Sequence, residues 1–292
     1  MHPTSPSEGR SGPDLPAHRR FLRRLKSGIL RSETIYCLYL RCKHGTGRGS
    51  LSLSLSLSLA RARARPLLSE NGSFPNCVLQ SRAEWREALS RGKRLNLPLH
   101  RSDEKNWDHL AAVDAIAHAM PKSARVLDAG AEFYSNVLPA LFAHGFRSLY
   151  GMNLSFADPA RRGPIRYLPG DITRTGFTDA FFDAITCMSV IEHGVPLEAY
   201  FCEMYRLLRP GGILITSTDY FPLPIDTRGK IAHGAPIKIF SRQDVEEMIS
   251  LASAIGFEKT AEIDLGCAER TVRWDPYDLE YTFLIFTLRK PC

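Results

Sequence analysis

No run in this chain approaches the roughly 18 consecutive apolar residues that a membrane-spanning helix needs, so no membrane span is expected in its 292 residues. It has no Cys-x-x-Cys pair. Its 7 cysteines, at 37, 42, 77, 187, 202, 267 and 292, are odd in number. Neither a cysteine metal site nor a closed disulfide framework is therefore expected, and the pattern predicts reduced thiols in a cytoplasmic protein. Cys187 and Cys202 fall in apolar surroundings, where a thiol acts as a small hydrophobe. Acidic residues are scarce in one place. Residues 1–66 hold 13 Lys and Arg against 3 Asp and Glu, whereas residues 67–292 hold 25 against 28. The net charge of +7 thus describes a basic arm and not the body. That body lacks the interleaving of aromatic and basic residues expected of a nucleic-acid surface, so nucleic acid is not an expected partner.

The arm opens with a Pro, Ser and Gly-rich stretch, continues with a basic run from His18 to Lys26, and contains a strict Leu-Ser alternation from Leu51 to Leu59. No neighbouring segment offers a partner strand. Residues 1–66 are therefore expected to be low-complexity, disordered and dispensable for the fold. An organelle transit peptide is an alternative, because Arg- and Ser-rich, acid-poor starts have that composition. Residues 67–102 read as a linker with a short helix near Ala83–Ser90. Ser102-Asp103-Glu104 reads as a helix N-terminus, and the helix it opens ends at Pro121. Residues 103–292 form the expected main domain.

From Ala124 strands and helices alternate. Strands are predicted at 125–128, 148–152, 165–168, 184–189 and 212–217, and helices at about 135–144, 197–208 and 242–255. Such alternation predicts an α/β fold with a mostly parallel sheet and helices on both faces. Phe257–Leu265 and Tyr281–Arg289 are two strands with no helix between them, which predicts a closing antiparallel hairpin.

Four segments carry the chemistry. Val126-Leu127-Asp128-Ala129-Gly130 joins a strand to a glycine turn and a helix, the arrangement that presents nucleotide sites in open α/β sheets. Ser148 to Ser155 ends a second strand in Asn153. Tyr167 to Thr173 places Gly170-Asp171-Ile172 after a third. The longest segment runs from Phe182-Asp183 through Ser189-Val190 and Glu192-His193 to Leu207-Leu208-Arg209-Pro210-Gly211-Gly212. Together these resemble the class I S-adenosylmethionine-dependent methyltransferases, specifically the type 11 group, over about residues 103–290.

The resemblance implies a Rossmann-like, seven-stranded sheet, an enzyme transferring a methyl group, and S-adenosyl-L-methionine as cofactor. It implies that Asp128, Ala129, Gly130, Asn153, Asp171, Ile172, Ser189 and Val190 contact that cofactor. Asn153 stands at the ribose-binding position, where the family has a carboxylate, and Asp171 at the adenine-binding one. Both also suit ordinary turns. Two further glycines of the family's first loop are replaced by Glu132 and Tyr134. If Asn153 faces the ribose, Asn153→Asp is expected to tighten cofactor binding.

His193 is the candidate base, since imidazole titrates near neutrality; capping the following helix is the alternative role. Asp219 and Tyr220 follow the fifth strand and are candidate acceptor-binding or catalytic groups. Residues 219–240 are long enough to form a lid. The expected acceptor is a small molecule or sugar methylated on oxygen or nitrogen. Alternatives are a methyltransferase-like binding protein without turnover and a nucleic-acid methyltransferase recruited by the arm. No Asn-Pro-Pro-Tyr-like tetrad follows the fourth strand to support the last.

Overall fold

The structure, a computed structural model, describes residues 30–44 and 74–292. Its core is a set of five mutually parallel strands: β2 (Arg125–Ala129), β3 (Ser148–Asn153), β5 (Ile165–Pro169), β6 (Phe182–Met188) and β7 (Leu208–Tyr220). Along these strands successive side chains enter opposite layers, as a two-residue period requires. Leu127, Ile185 and Leu214 pack on one face; Val126, Ala184, Ile213 and Ile215 pack on the other. The central strands β2 and β6 are buried on both faces, which is why they read as near-continuous apolar runs, whereas β5 nearer the edge alternates, with Arg166 exposed.

The first face is covered by helices α5 (Leu197–Leu207) and α6 (Arg242–Ile255). The second carries α3 (Asn106–Ala119) and α4 (Val137–Ala143). Helix α6 is closed at both ends by its own sequence. Ser241 and Asp244 form a reciprocal capping box, and Gly256 ends it at φ +119°, the left-handed conformation that glycine adopts without strain.

The sheet closes with β12 (Leu279–Arg289), antiparallel to β7 from Ile213 to Tyr220. β10 (Glu258–Lys259) pairs with β12 and completes the seven expected strands. The whole sheet has ten strands, because three short ones are added: β1 (Cys77–Val78), β4 (Ala160–Arg162) and β11 (Val272–Trp274). The strand expected at Phe257–Leu265 is only two residues long; beyond it the chain turns away to bridge Asp264 to Cys77. Cys187 is buried as expected, whereas Cys202 is exposed.

Two expectations about the chain before residue 103 need correction. Within the arm, Glu33–His44 forms helix α1, and Tyr36 is 1% exposed, stacked on Phe142 at 5.7 Å. The peptide N–H of Gly163 donates to the Leu30 carbonyl at 2.7 Å, and a side chain at Gly163 would meet the Tyr36 ring at 2.8 Å. The other residues of the arm, including the Leu-Ser repeat, lie outside the described residues. The segment expected as a linker also belongs to the fold. β1 pairs with β12, Asn76 accepts the Thr287 N–H at 2.9 Å, and α2 (Arg82–Arg94) follows, capped by Ser81.

Candidate active site at the carboxyl edge of the sheet

Ligands of open α/β sheets lie beyond the carboxyl ends of the strands. At this edge β2 ends in Asp128 and Ala129, both buried. Thr186 on β6 donates to Asp128 at 2.8 Å. Burial nevertheless pushes the Asp128 carboxyl up to about 7, the Thr186 bond pulling the other way. Gly130 follows at φ +87°. A β-carbon there would lie 2.4 Å from Val190, so the turn that ends β2 and the turn that ends β6 pack directly together.

Asn153 at the end of β3 reaches back to this turn. Its amide donates to the Gly130 carbonyl at 2.9 Å, and its Oδ1 accepts the Ser155 N–H at 2.8 Å. Glu132 is joined to the same loop, accepting from the Ser155 hydroxyl at 2.7 Å. Tyr134 lies under the Arg101 guanidinium, 4.2 Å from the ring centroid, and edge-on to His100. The two residues that replace glycines are thus held by named partners. Asp171 is exposed; its Oδ1 accepts from both the N–H and the hydroxyl of Thr173, at 2.8 and 2.7 Å. Ile172 beside it is buried.

Ser189, at the end of β6, has φ +52°, a conformation that non-glycine residues adopt at a cost of about 1–3 kcal/mol. Its hydroxyl is buried without a hydrogen-bond partner among the described residues. The following turn carries Glu192, 1% exposed, and His193. The Nδ1 of His193 is likewise buried and without a partner. Burial, the nearby His233 and Lys105 lower His193 to about 4, so its imidazole is neutral at pH 7.

Residues 219–240, the segment expected as a lid, leave this edge and return to it. Phe240 N–H donates to Asp219 O, and Lys238 N–H donates to Glu192 O at 2.9 Å. Between them a small hairpin, β8 (Ile231–Ala232) and β9 (Ala235–Pro236), carries His233 to 5.0 Å from the His193 ring.

Asp219 and Tyr220 diverge. β7 runs on to Tyr220 and not only to residue 217, so adjacent side chains take opposite faces. The Tyr220 hydroxyl donates to the Leu265 carbonyl at 2.7 Å, on the far side from Asp219. Asp219 is 2% exposed, and its Oδ1 has no hydrogen-bond partner among the described residues.

What faces Asp219 is a group that the sequence reading missed. Helix α3 begins at Asn106, not at Ser102. The Asn106 amide holds the Ser102 and Asp103 carbonyls at 3.2 and 3.0 Å, and its Oδ1 accepts the His100 N–H. These bonds keep residues 100–105 in a turn that carries Lys105 inward. Its ammonium lies 4.7 Å from the Phe283 ring centroid, facing Asp219, Glu192, Asp108 and Glu104. The carboxylates raise the Lys105 pKa in spite of burial. Burial pushes Asp219 up to about 6 against the pull of Lys105. Burial and Asp219 raise Glu192 well above the ordinary range. The available signal was Lys105 itself, a lysine at the first turn of a helix, where the dipole disfavours a cation unless carboxylates face it.

The sequence profile of a family described as "Methyltransferase domain" matches residues 127–216. The sterol 24-C-methyltransferase of Candida albicans is 27% identical over 119 residues, which is 38% of this chain and 31% of that protein. The demethylmenaquinone methyltransferase of Deinococcus radiodurans is 29% identical over 127 residues, 41% of this chain and 52% of that one. The aligned part thus spans a third to a half of these curated relatives. Among solved structures, an S-adenosylmethionine-dependent methyltransferase from Mesorhizobium loti is 16% identical, with a TM-score of 0.45 over 63% of this chain and 97% of that one. The profile match begins on the first parallel strand and ends within β7, spanning the turns after β2 and β6 and the Arg209–Gly212 run, so this part of the chain is similar to that methyltransferase-domain family.

Proposed function

We propose that the protein transfers a methyl group from S-adenosyl-L-methionine to oxygen or nitrogen of a small-molecule acceptor. The single observation that carries the reading is the profile match over residues 127–216, laid on a parallel sheet whose carboxyl edge gathers the matched residues.

The groups at that edge suit an adenosyl ligand. Asp171 leaves its Oδ2 open beside Ile172, so the pair offers an acceptor for an exocyclic amine and an apolar flank for the ring. Asn153 has one lone pair of Oδ1 left for a ribose hydroxyl. Asp128, Ala129, Gly130, Ser189 and Val190 would line the methionine end, and the unpaired Ser189 hydroxyl supplies a donor there. When bound, the cofactor supplies an electrophilic methyl group on a sulfonium. The protein's own task is alignment and exclusion of water, which supply most of the rate in such a displacement. Residues 219–240 return to the edge, and the neutral His193, its Nδ1 unpaired, is placed to accept a hydrogen bond from an acceptor hydroxyl, although its lowered pKa makes it a weak base.

A second reading, a binding protein without turnover, is favoured by the side chains of Glu132 and Tyr134 where glycines are usual. Calorimetric titration with S-adenosylhomocysteine, followed by mass-spectrometric screening for methyl transfer, tests both. Binding with transfer supports the enzyme, binding without transfer across the screen supports the second reading, and absence of binding rejects both. Among the described residues no helix is long and apolar enough to cross a membrane.

A further inference from the structure

We infer that Asp219, Glu192 and Lys105, at the carboxyl ends of β6 and β7, form a subsite for a protonated amine on the acceptor. The inference rests on the methyltransferase reading and narrows it to nitrogen.

The first observation is an imbalance of charge. Three carboxyl groups, Asp108, Glu192 and Asp219, are each at most 2% exposed, and one ammonium, Lys105, faces all three. Glu104 adds a fourth, half-buried carboxyl on the same side. Buried charge without a counter-charge is costly, and a site resolves it by taking up protons or a cation. The raised values of Glu192 and Asp219 are the proton-bound form of that resolution.

The second observation is an imbalance of hydrogen bonds. Asp108 is satisfied by Ser217 Oγ at 2.5 Å and the His109 N–H at 2.9 Å. Glu192 accepts from Thr218 Oγ1 at 3.2 Å. Asp219 keeps Oδ1 buried and unpartnered, with the Tyr281 hydroxyl facing the same carboxyl group. Close by, the lid brings His233 against His193, whose Nδ1 is also unpartnered. The edge is therefore short of positive charge and of donors at once.

An ammonium brings both. An alcohol brings a single donor and no charge. A carboxylate or phosphate adds to the repulsion, and an apolar carbon acceptor leaves Asp219 Oδ1 unsatisfied in the interior. The same carboxylate answers the chemical need of an amine, which arrives protonated and has no lone pair to attack with. The ammonium gives one proton to Asp219. The freed lone pair forms the N–C bond as the C–S bond of a sulfonium methyl donor breaks, its electron pair staying on sulfur. The product leaves as an N-methylammonium, and the proton held by Asp219 returns to solvent.

The test uses the full chain at pH 7. Benzylamine, phenethylamine and hexylamine are titrated calorimetrically against benzyl alcohol, phenethyl alcohol and hexanol, in two buffers of different ionisation enthalpy. The expected result is at least tenfold tighter binding of the amines, with protons released as each amine displaces those held by the carboxyl pair. Asp219→Asn and Glu192→Gln are each expected to reduce the preference to less than threefold. If Asp219→Asn does not fold, Glu192→Gln decides. Equal affinity for amines and alcohols, failure of every amine to bind, or a preference that survives in the folded variants overturns the subsite. S-adenosylhomocysteine is titrated separately. Its failure to bind while the amine preference holds rejects the methyltransferase reading alone, and its binding without an amine preference rejects the subsite alone.

Discussion

Gly130 and Val190 touch across the carboxyl edge: a β-carbon on Gly130 would come within 2.4 Å of Val190 Cγ2 and 2.9 Å of Cγ1. Two constraints therefore fix glycine at this position, the contact and the φ of +87°. Gly130→Ala is expected to destabilise the protein by about 2–4 kcal/mol, from a non-glycine residue in a sparsely populated region and from overpacking. Val190→Ala in the same chain is expected to return only the overpacking share. Urea unfolding midpoints of the parent chain and the two variants measure this. Full recovery in the double variant would show that the backbone conformation carries no penalty.

Helix α1 gives a second expectation, opposite to the one composition suggests. Deleting residues 1–66 removes Leu30 and Tyr36 from the core and leaves the Gly163 N–H without its carbonyl partner. The loss is expected to be about 3–5 kcal/mol, the usual range for truncating a buried aromatic. Tyr36→Ala should reproduce most of it. A stable, cooperatively unfolding protein without residues 1–66 would mean that α1 does not contribute.

Asp128 sets a pH dependence with a definite sign. Its carboxyl is raised by burial to about 7 in the folded chain, against about 3.9 when unfolded. Below both values it is protonated in either state and contributes no pH dependence. As pH rises from about 4 to about 7, the unfolded chain gives up the proton while the folded chain keeps it, so stability falls by up to about 1.4 kcal/mol per pH unit. Above 7 the loss is complete and constant. Asp128→Asn should flatten the stability profile across that window. An unchanged slope would show that Asp128 is ionised throughout.

For Asn153 the geometry reverses the expectation drawn from the resemblance. A carboxylate there would face the Gly130 carbonyl in place of the amide that now donates to it. Asn153→Asp is therefore expected to weaken S-adenosylhomocysteine binding and to cost about 1 kcal/mol of stability, since a partly buried acceptor loses its donor. Asp171→Ala, on an exposed turn, should weaken binding by about 1.5–3 kcal/mol and leave the fold intact. Calorimetry with unfolding curves separates the two effects. Tighter binding by Asn153→Asp would restore the ribose-carboxylate expectation.

The parallel core was legible because its strands are largely apolar runs, with a helical period after β2 and β6, and all five were found within a few residues of their ends. The segment from Phe182 to Gly212 was legible for a different reason, since its polar residues stand at fixed offsets from that period. Three features were not legible. Tyr36 docks on Phe142 and Gly163, more than a hundred residues away, so nothing local marks α1 as ordered. Lys105 reads as the solvated start of a helix until Asn106 is seen to hold the preceding turn. Tyr220 reads as a neighbour of Asp219 when β7 is taken to stop at residue 217. Once the strand extends three residues further, alternation alone sends the two side chains to opposite layers.

The position of β12 has a consequence for how the chain assembles. This strand lies between β7 and β1, so residues 77–78 find their partner only after residues 284–285 exist. During synthesis the β7 edge has no antiparallel neighbour, although eight of its residues are destined to pair. An open, apolar edge of that length is a template for pairing with other chains. The segment around Asn76–Leu79 pairs with the outer side of β12, so both the β7 edge and this outer edge are shielded only once β12 has docked. Folding rate and solubility during synthesis should therefore respond more to changes in residues 279–289 than to changes in the five parallel strands that make up most of the core.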